Sequence, residues 1–309
     1  MQRAAVILVI CCLTLLPCAG TKAQNYFPLT QQNFLHAANN PAEAGTTGMG
    51  IGTALYSRQL NSPLSASSSK LISFNSPVYG RNIGLGLWLS HSSYFVTQRT
   101  DAYASYAYHI KNDEFILSMG IQAGFTQYKF NFSDLELLDP DDPAFGADQN
   151  TGVLVNTGIG IRLASSRFVV GAVIPRLIKH SLEDQGLSSQ YLERRSVNAY
   201  GFYVWESSPV LSLIPYLQLG YTQGNSSIHY QAAVVADINQ TIQLGGYIKN
   251  GGQWAASFGL RINENFRLGY AYDFGKASPS LQQAGSHEVG IRYAFRADQI
   301  RDSPILSFY

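Results

Sequence analysis

A two-residue rhythm of side chains runs through most of this chain and restricts it to strands. In Phe266-Arg267-Leu268-Gly269-Tyr270-Ala271-Tyr272-Asp273-Phe274 every even-numbered residue is large and apolar or aromatic, and every odd-numbered one is small or charged. Successive strand side chains point to opposite faces, so such a segment has one greasy face and one polar or small face. Val289, Ile291, Tyr293 and Phe295 alternate in the same way with Glu288, Gly290, Arg292 and Ala294. Trp254, Ala256, Phe258, Leu260 and Ile262 do so with Ala255, Ser257, Gly259 and Arg261. Ile83, Leu85, Leu87 and Leu89 oppose Asn82, Gly84, Gly86 and Ser90, although Trp88 sits on the second face. Gly48, Gly50 and Gly52, like Gly158 and Gly160, fall on the same period and read as strand-face glycines rather than phosphate loops.

Fourteen segments carry the pattern: 48–59, 66–77, 81–91, 98–110, 113–126, 151–164, 166–176, 194–206, 210–223, 226–238, 240–249, 252–263, 265–275 and 285–297. Their connections divide by parity. The tight ones, such as Ser76 to Arg81, Ile110 to Asp113, Ala164 to Arg167 and Asn263 to Asn265, are even-numbered. The long ones, Gln127 to Asn150, Arg176 to Glu193 and Gly275 to Ala284, are all odd-numbered. A soluble sandwich has no reason to sort its loops this way, whereas an outer-membrane barrel has short periplasmic turns and long exterior loops. The expected fold is therefore all-β: a transmembrane antiparallel barrel of about 14 strands, with its apolar face on the lipid.

Composition fits. Only 13% of residues are charged, against roughly 25% in a typical soluble domain. Plentiful aromatic residues exclude disorder, and Lys+Arg 21 against Asp+Glu 20, with no basic run, excludes a nucleic-acid partner. Met1-Gln2-Arg3, the apolar stretch Ala4 to Leu16 and Thr21-Lys22-Ala23 read as a signal peptide over residues 1–23. Cys11, Cys12 and Cys18 all fall inside it, so the exported chain uses no disulfides. The expected organisation is a leader at 1–23, an N-terminal periplasmic or plug segment at 24–47, the barrel at 48–297 and a tail at 298–309.

Several residues carry expectations of their own. Arg162, Arg261, Arg267, Asp273, Glu288 and Arg292 share the lumen face, where they either line a channel or pair across strands and fill it. The stretch Gln24 to Pro41, polar with Phe27, Leu29, Phe34 and Leu35 as anchors, points to a plugged or narrow lumen. Tyr94, Tyr108, Trp205, Tyr221 and Tyr247 are expected in the aromatic girdles. The last segment, Glu288-Val289-Gly290-Ile291-Arg292-Tyr293-Ala294-Phe295, resembles the polar-x-Gly-x-x-aromatic-x-aromatic signal that hands barrels to their assembly machinery; Glu288, Gly290, Tyr293 and Phe295 are its marked positions. The carboxylates from Asp134 to Asp148 suggest calcium only weakly, because Pro140 and Pro143 break an EF-type loop; a solvated exterior loop is the simpler reading. His36, His91, His109, His180, His229 and His287 lack ligand spacing and read as loop or interface residues. His91-Ser92 has no GxSxG around it and no marked acid, so no enzyme and no cofactor is expected.

The order of several short stretches adds what spacing does not. Gln31-Gln32-Asn33-Phe34 leads to Asn39-Asn40-Pro41-Ala42-Glu43-Ala44-Gly45, followed by Ala54-Leu55-Tyr56-Ser57-Arg58-Gln59 and Ser76-Pro77-Val78-Tyr79-Gly80-Arg81. Ala104-Ser105-Tyr106-Ala107-Tyr108-His109 and Leu268-Gly269-Tyr270-Ala271-Tyr272-Asp273-Phe274 continue the series. In this order the chain resembles the PorP/SprF family of outer-membrane barrels, with Glu43 where the family has Tyr and Leu60 where a Trp often follows. The resemblance implies a noncatalytic component of the Bacteroidetes type IX secretion system, helping to export proteins or retain them at the surface, with gliding adhesins among the substrates of some members. It implies outer-membrane lipid as surroundings. The implied protein partner is a secreted surface protein with a sorting domain or a periplasmic, peptidoglycan-linked lipoprotein. Asn40, Pro41, Ala42, Gly45 and Arg58 are its candidate partner contacts. The alternative is a porin-like or solute-selective channel, motivated by the charged lumen face.

Overall fold

The computed structural model describes residues 29–59, 67–134, 148–180, 195–223, 228–275, 277–278, 281–282 and 285–295. The expected leader at 1–23 and tail at 298–309, Leu60 and the body of the acidic loop lie outside these residues. Fourteen strands build the wall. They are β1 (Gly50–Gln59), β2 (Ser67–Val78), β3 (Ile83–Tyr94), β4 (Thr97–Lys111), β5 (Phe115–Phe130), β6 (Leu154–Ser165) and β7 (Phe168–Ile174). β8 (Ser196–Tyr203), β9 (Leu211–Thr222), β10 (Ile228–Ile238), β11 (Ile242–Lys249), β12 (Gln253–Arg261), β13 (Phe266–Asp273) and β14 (Ser286–Phe295) complete it. Each strand pairs antiparallel with the next, and β14 returns to β1 with Gly50 opposite Phe295 and Gln59 opposite Ser286. The barrel is closed. Closure leaves no open sheet edge, the condition for strands to cross lipid; no described helix is long and apolar enough to do so.

The alternation sets the two faces as the sequence implies. Leu85, Leu87 and Leu89 of β3, and Val289, Ile291, Tyr293 and Phe295 of β14, all point outward and are exposed. Glu288 and Arg292 point inward and are buried. An Arg at the centre of the lipid face costs roughly 2–4 kcal/mol. Leu87→Arg is therefore expected to lower unfolding free energy in lipid vesicles by about that amount; a neutral result would remove this face from the membrane.

Two strands run well past the length a membrane needs. β4 and β5 run for 15 and 16 residues, beyond the roughly 9–11 that cross a membrane. Their projecting ends bury Phe130 and Phe132 with Leu154 in a small cluster of their own. The β3–β4 turn holds only Phe95 and Val96, so an odd-numbered connection is tight here.

Two expectations change. Tyr247 is 4% exposed and faces the lumen, with its hydroxyl 3.2 Å from Ser257 Oγ. It is not a girdle residue, unlike Tyr94, Tyr108, Trp205 and Tyr221, which are exposed. The lumen is also less polar than the charged face suggested. Val169, Phe202, Ile214, Tyr216, Val235 and Ala255 form an apolar cluster inside β7–β12. Strands such as Phe168-Val169-Val170 are apolar on both faces, one toward lipid and one toward this core.

Candidate functional site: the filled lumen

The segment before β1 lies inside the barrel. Short turns order it: a 3-10 turn at Gln32–Phe34, a four-residue helix at His36–Asn39 and a second 3-10 turn at Pro41–Glu43. Asn40 caps the last of these, its Oδ1 accepting from the Ala42 N–H at 3.0 Å with Pro41 at the first position. Asn or Asp caps and Pro at N1 are favoured for this purpose, since one accepts an orphan amide and the other lacks one. Gly45 adopts φ +70° and packs between Pro77 and Gly84, where a Cβ would come within 2.8 Å of the Gly84 Cα. Both its conformation and its seat demand glycine.

Polar groups of the wall meet this plug at each step. The Glu288 carboxylate accepts from the Thr30 N–H at 2.8 Å and the Gln31 N–H at 3.2 Å. Lys249 Nζ donates to Thr30 Oγ1 at 2.7 Å and to Asp273 at 2.9 Å. Asn40 Nδ2 donates to the Ile161 carbonyl and to the Tyr200 hydroxyl, both at 3.1 Å. Glu43 pairs with Arg162 at 2.9 Å, both side chains almost wholly buried, and accepts from the Tyr200 hydroxyl. His109 Nε2 donates to the Ala44 carbonyl at 3.1 Å, leaving Nδ1 for Ser118 Oγ at 2.8 Å. The Gly45 N–H reaches Asn75 Oδ1 at 3.3 Å. The bonds of Glu288, Lys249, His109 and the Gly45 N–H are buried, so each avoids an unmet buried donor or acceptor, worth about 1–3 kcal/mol.

The wall also makes room. A Cβ on Gly84, Gly120, Gly160 or Gly269 would overlap, respectively, Ala44, Ala42, the Asn40 side chain or Gln31. Phe34 and Leu35 pack against Leu55 and Leu71, two apolar side chains that face the lumen because the plug is there. Contacts with the plug thus involve β1–β6, β8, β10, β11, β13 and β14, while β7, β9 and β12 supply residues to the apolar cluster.

These contacts show which expected residues meet. Asn40, Pro41, Ala42 and Gly45 sit together in the lumen, the first three and Gly45 buried. Arg58 is exposed on the outer face near the far end of β1, opposite His287. Glu288 and Gly290 lie under the plug, whereas Tyr293 and Phe295 face outward with their rings 4.8 Å apart. Of the lumen charges, Arg162 pairs with Glu43 of the plug and Glu288 accepts from its amides, while Asp273 pairs with Lys249, a wall residue that alternation alone did not single out and that also reaches Thr30. His109 is no loop or interface residue: it is 4% exposed and clamps the plug. His91 and Ser92 point to opposite faces, bonded to Thr100 and Ser69 respectively. Of the acidic loop, Asp134 and Asp148 are described; the Ser133 N–H and hydroxyl hold the Asp148 carboxyl below its ordinary range. No cluster of metal-ligating side chains occurs among the described residues.

The sequence profile of the type IX secretion system membrane protein PorP/SprF family matches residues 21–293. This chain belongs to the PorP/SprF family. A PorP/SprF barrel with this filled lumen is similar in fold to several solved structures. The toluene transporter TbuX of Ralstonia pickettii aligns with a TM-score of 0.54 at 11% identity, over 85% of this chain and 94% of that one. The toluene transporter TodX of Pseudomonas putida aligns at 0.50 and 8% identity, over 90% and 96%. The outer membrane protein Omp33 of Acinetobacter baumannii aligns at 0.47 and 6%, over 80% and 98%. At such identities the likeness to the two transporters shows the fold alone. No curated protein matches the chain in sequence. For this PorP/SprF member, the family signature and the barrel together establish an outer-membrane component of type IX secretion.

Proposed function

We propose that this barrel is a noncatalytic part of the secretion system that assists export or surface retention by binding a protein partner. The observation that carries the reading is the seated plug. With Asn40 to Gly45 buried against the wall, a solute has little straight path through the lumen, and what remains for recognition is the rims and exterior loops. A partner that engages Asn40, Pro41 or Ala42 does so by displacing the plug, whereas Arg58 is reached from outside directly. The partner classes are a secreted surface protein with a sorting domain and a periplasmic, peptidoglycan-linked lipoprotein, in a Bacteroidetes-like outer membrane. The channel reading requires the plug to leave.

The test is affinity isolation of the tagged protein from native outer membrane in mild detergent. One of those two partner classes should co-purify in stoichiometric yield, and a deletion strain should lose surface display of specific secreted proteins. Recovery of the barrel alone, with secretion unchanged in the deletion strain, would overturn it.

A further inference from the structure

The outward face of the wall changes character near the exterior ends of β14 and β1–β5. Ile291, Ala54, Ile72, Leu89, Ala102 and Phe125 stand in register across these six strands, and all are apolar. The next outward position on a strand is two residues on, about 7 Å away. One such step toward the exterior, Lys70 lies between Tyr56 and His91. The step after that holds His287, Arg58 and, on β5, Lys129. Arg58, Lys70, His91 and Lys129 are all exposed. Neutral polar side chains such as Ser68, Gln98 and Thr100 stand between them, and no carboxylate occupies an outward position of these six strands.

The basic band is one-sided. At the exterior ends of β8–β12 the outward residues are Val197, Tyr221, Ile228, Ile248 and Trp254. Arg195, just before β8, is engaged by the Leu177 carbonyl at 2.7 Å. Among the described residues, by contrast, the charged groups of Arg58, Lys70 and Lys129 have no hydrogen-bond or ion-pair partner. Arg58 stands opposite Ser68, which makes Lys70 its diagonal neighbour on the adjacent strand. Such positions are about 7–8 Å apart, so two long side chains can close on one anion.

We propose that Arg58 and Lys70 clamp a phosphate of an outer-leaflet glycolipid whose acyl chains lie on the apolar positions beneath. The guanidinium fork matches two phosphate oxygens, and the lysine adds a point charge on a flexible stem. The height of the pair argues for a lipid. Tyr56 and Tyr270 share the row of Lys70, and such amphipathic rings sit at headgroup level. An anion at Lys70 is one outward step above Ile72, so a single molecule can supply the charge here and the hydrocarbon below. An acidic peptide meets the same cations but brings nothing for the apolar row.

Native mass spectrometry of the full chain in mild detergent tests this, with lipid A, dephosphorylated lipid A, inorganic phosphate and tetraglutamate as probes. Lipid A should form a saturable adduct. The dephosphorylated form and tetraglutamate should each bind at least about tenfold more weakly, and inorganic phosphate at the same concentration should not displace lipid A. A single cation beside an anionic lipid is worth about fivefold in affinity. Lys70→Gln should therefore weaken lipid A by about fivefold, and Lys70→Gln with Arg58→Gln by about twenty-fivefold. Lys111→Gln, exposed at the opposite end of β4, should change nothing. Heat-modifiable gel mobility confirms that each variant is folded, and the probe series on the unaltered protein stands even where a variant is not. Failure of lipid A to saturate, equal binding of its dephosphorylated form or of tetraglutamate, displacement by phosphate alone, or full affinity in the folded double variant would each overturn the assignment. Arg58 is also a candidate partner contact, but the probe series uses the unaltered protein with no partner present, so the two readings fail separately.

Discussion

Leucine at both Gly120 and Gly160 is expected to turn a barrel that is silent in a planar bilayer into one that conducts. The Cβ at Gly120 meets the backbone of Pro41 and Ala42, and the one at Gly160 meets the Asn40 amide that caps the same turn. The backbone beside Gly120 does not rotate aside, the Asn40 side chain beside Gly160 is held by its own hydrogen bonds, and overpacking of this kind costs about 1–3 kcal/mol per site. The strain falls on the plug rather than the wall. β5 and β6 remain fully paired with their neighbours, and glycine is the weaker strand former in any case. The doubly substituted protein should therefore keep its heat-modifiable mobility while showing discrete conductance steps. A variant as silent as the unaltered barrel, or an unaltered barrel that already conducts, would show that the plug does not control the lumen.

The second large effect is expected at Glu43. Glu43→Ala leaves Arg162 buried without its anion, and breaking a buried ion pair from one side typically costs about 3–5 kcal/mol. It also removes the acceptor of the Tyr200 hydroxyl. Glu43→Ala should lower the midpoint of heat-modified mobility sharply and expose the plug to protease. Adding Arg162→Ala should recover most of the loss, because the uncompensated charge goes with it. The coupling read from this double-mutant cycle separates the pair from the packing around it; strictly additive losses would show that the contact contributes nothing as a pair. The residue that departs from the family pattern is thus matched by a cation on β6.

How much of this was legible follows from what a period of two encodes. Alternation in 266–274 and 288–295 identifies strands and sorts lipid face from lumen face, because a charge in lipid is penalised and a charge in the lumen is not. It says nothing about what the lumen holds. Leu55 and Leu71 break the polar inner face because the plug covers them, and Tyr247 points inward because the region opposite β7–β9 is an apolar core. Gly84 and Gly160 were recognisable as strand-face glycines and Gly120 was not singled out, but only the fold shows that Ala44, Asn40 and Ala42 occupy the space beside them. The N-P-A stretch was visible as a motif. Its burial was not, since a cap and a turn look the same on a surface loop. Lys249 lay at a strand end, where nothing distinguishes an interior cation from an exterior one.

The bond from Glu288 to the Thr30 and Gln31 amides spans almost the whole chain, from the first described residues to the last strand. Suppose β14 joined β1 two residues out of frame. Every apolar side chain would still face lipid, because the pattern repeats every two residues, and the bilayer would not detect the error. The carboxylate, however, would move by about 7 Å along the strand, and Ser286 or Gly290 would stand where two amides and a lysine await an anion. The N-terminal segment therefore reads the register of the final seam, acting as a gauge that accepts one closure and rejects its near neighbours.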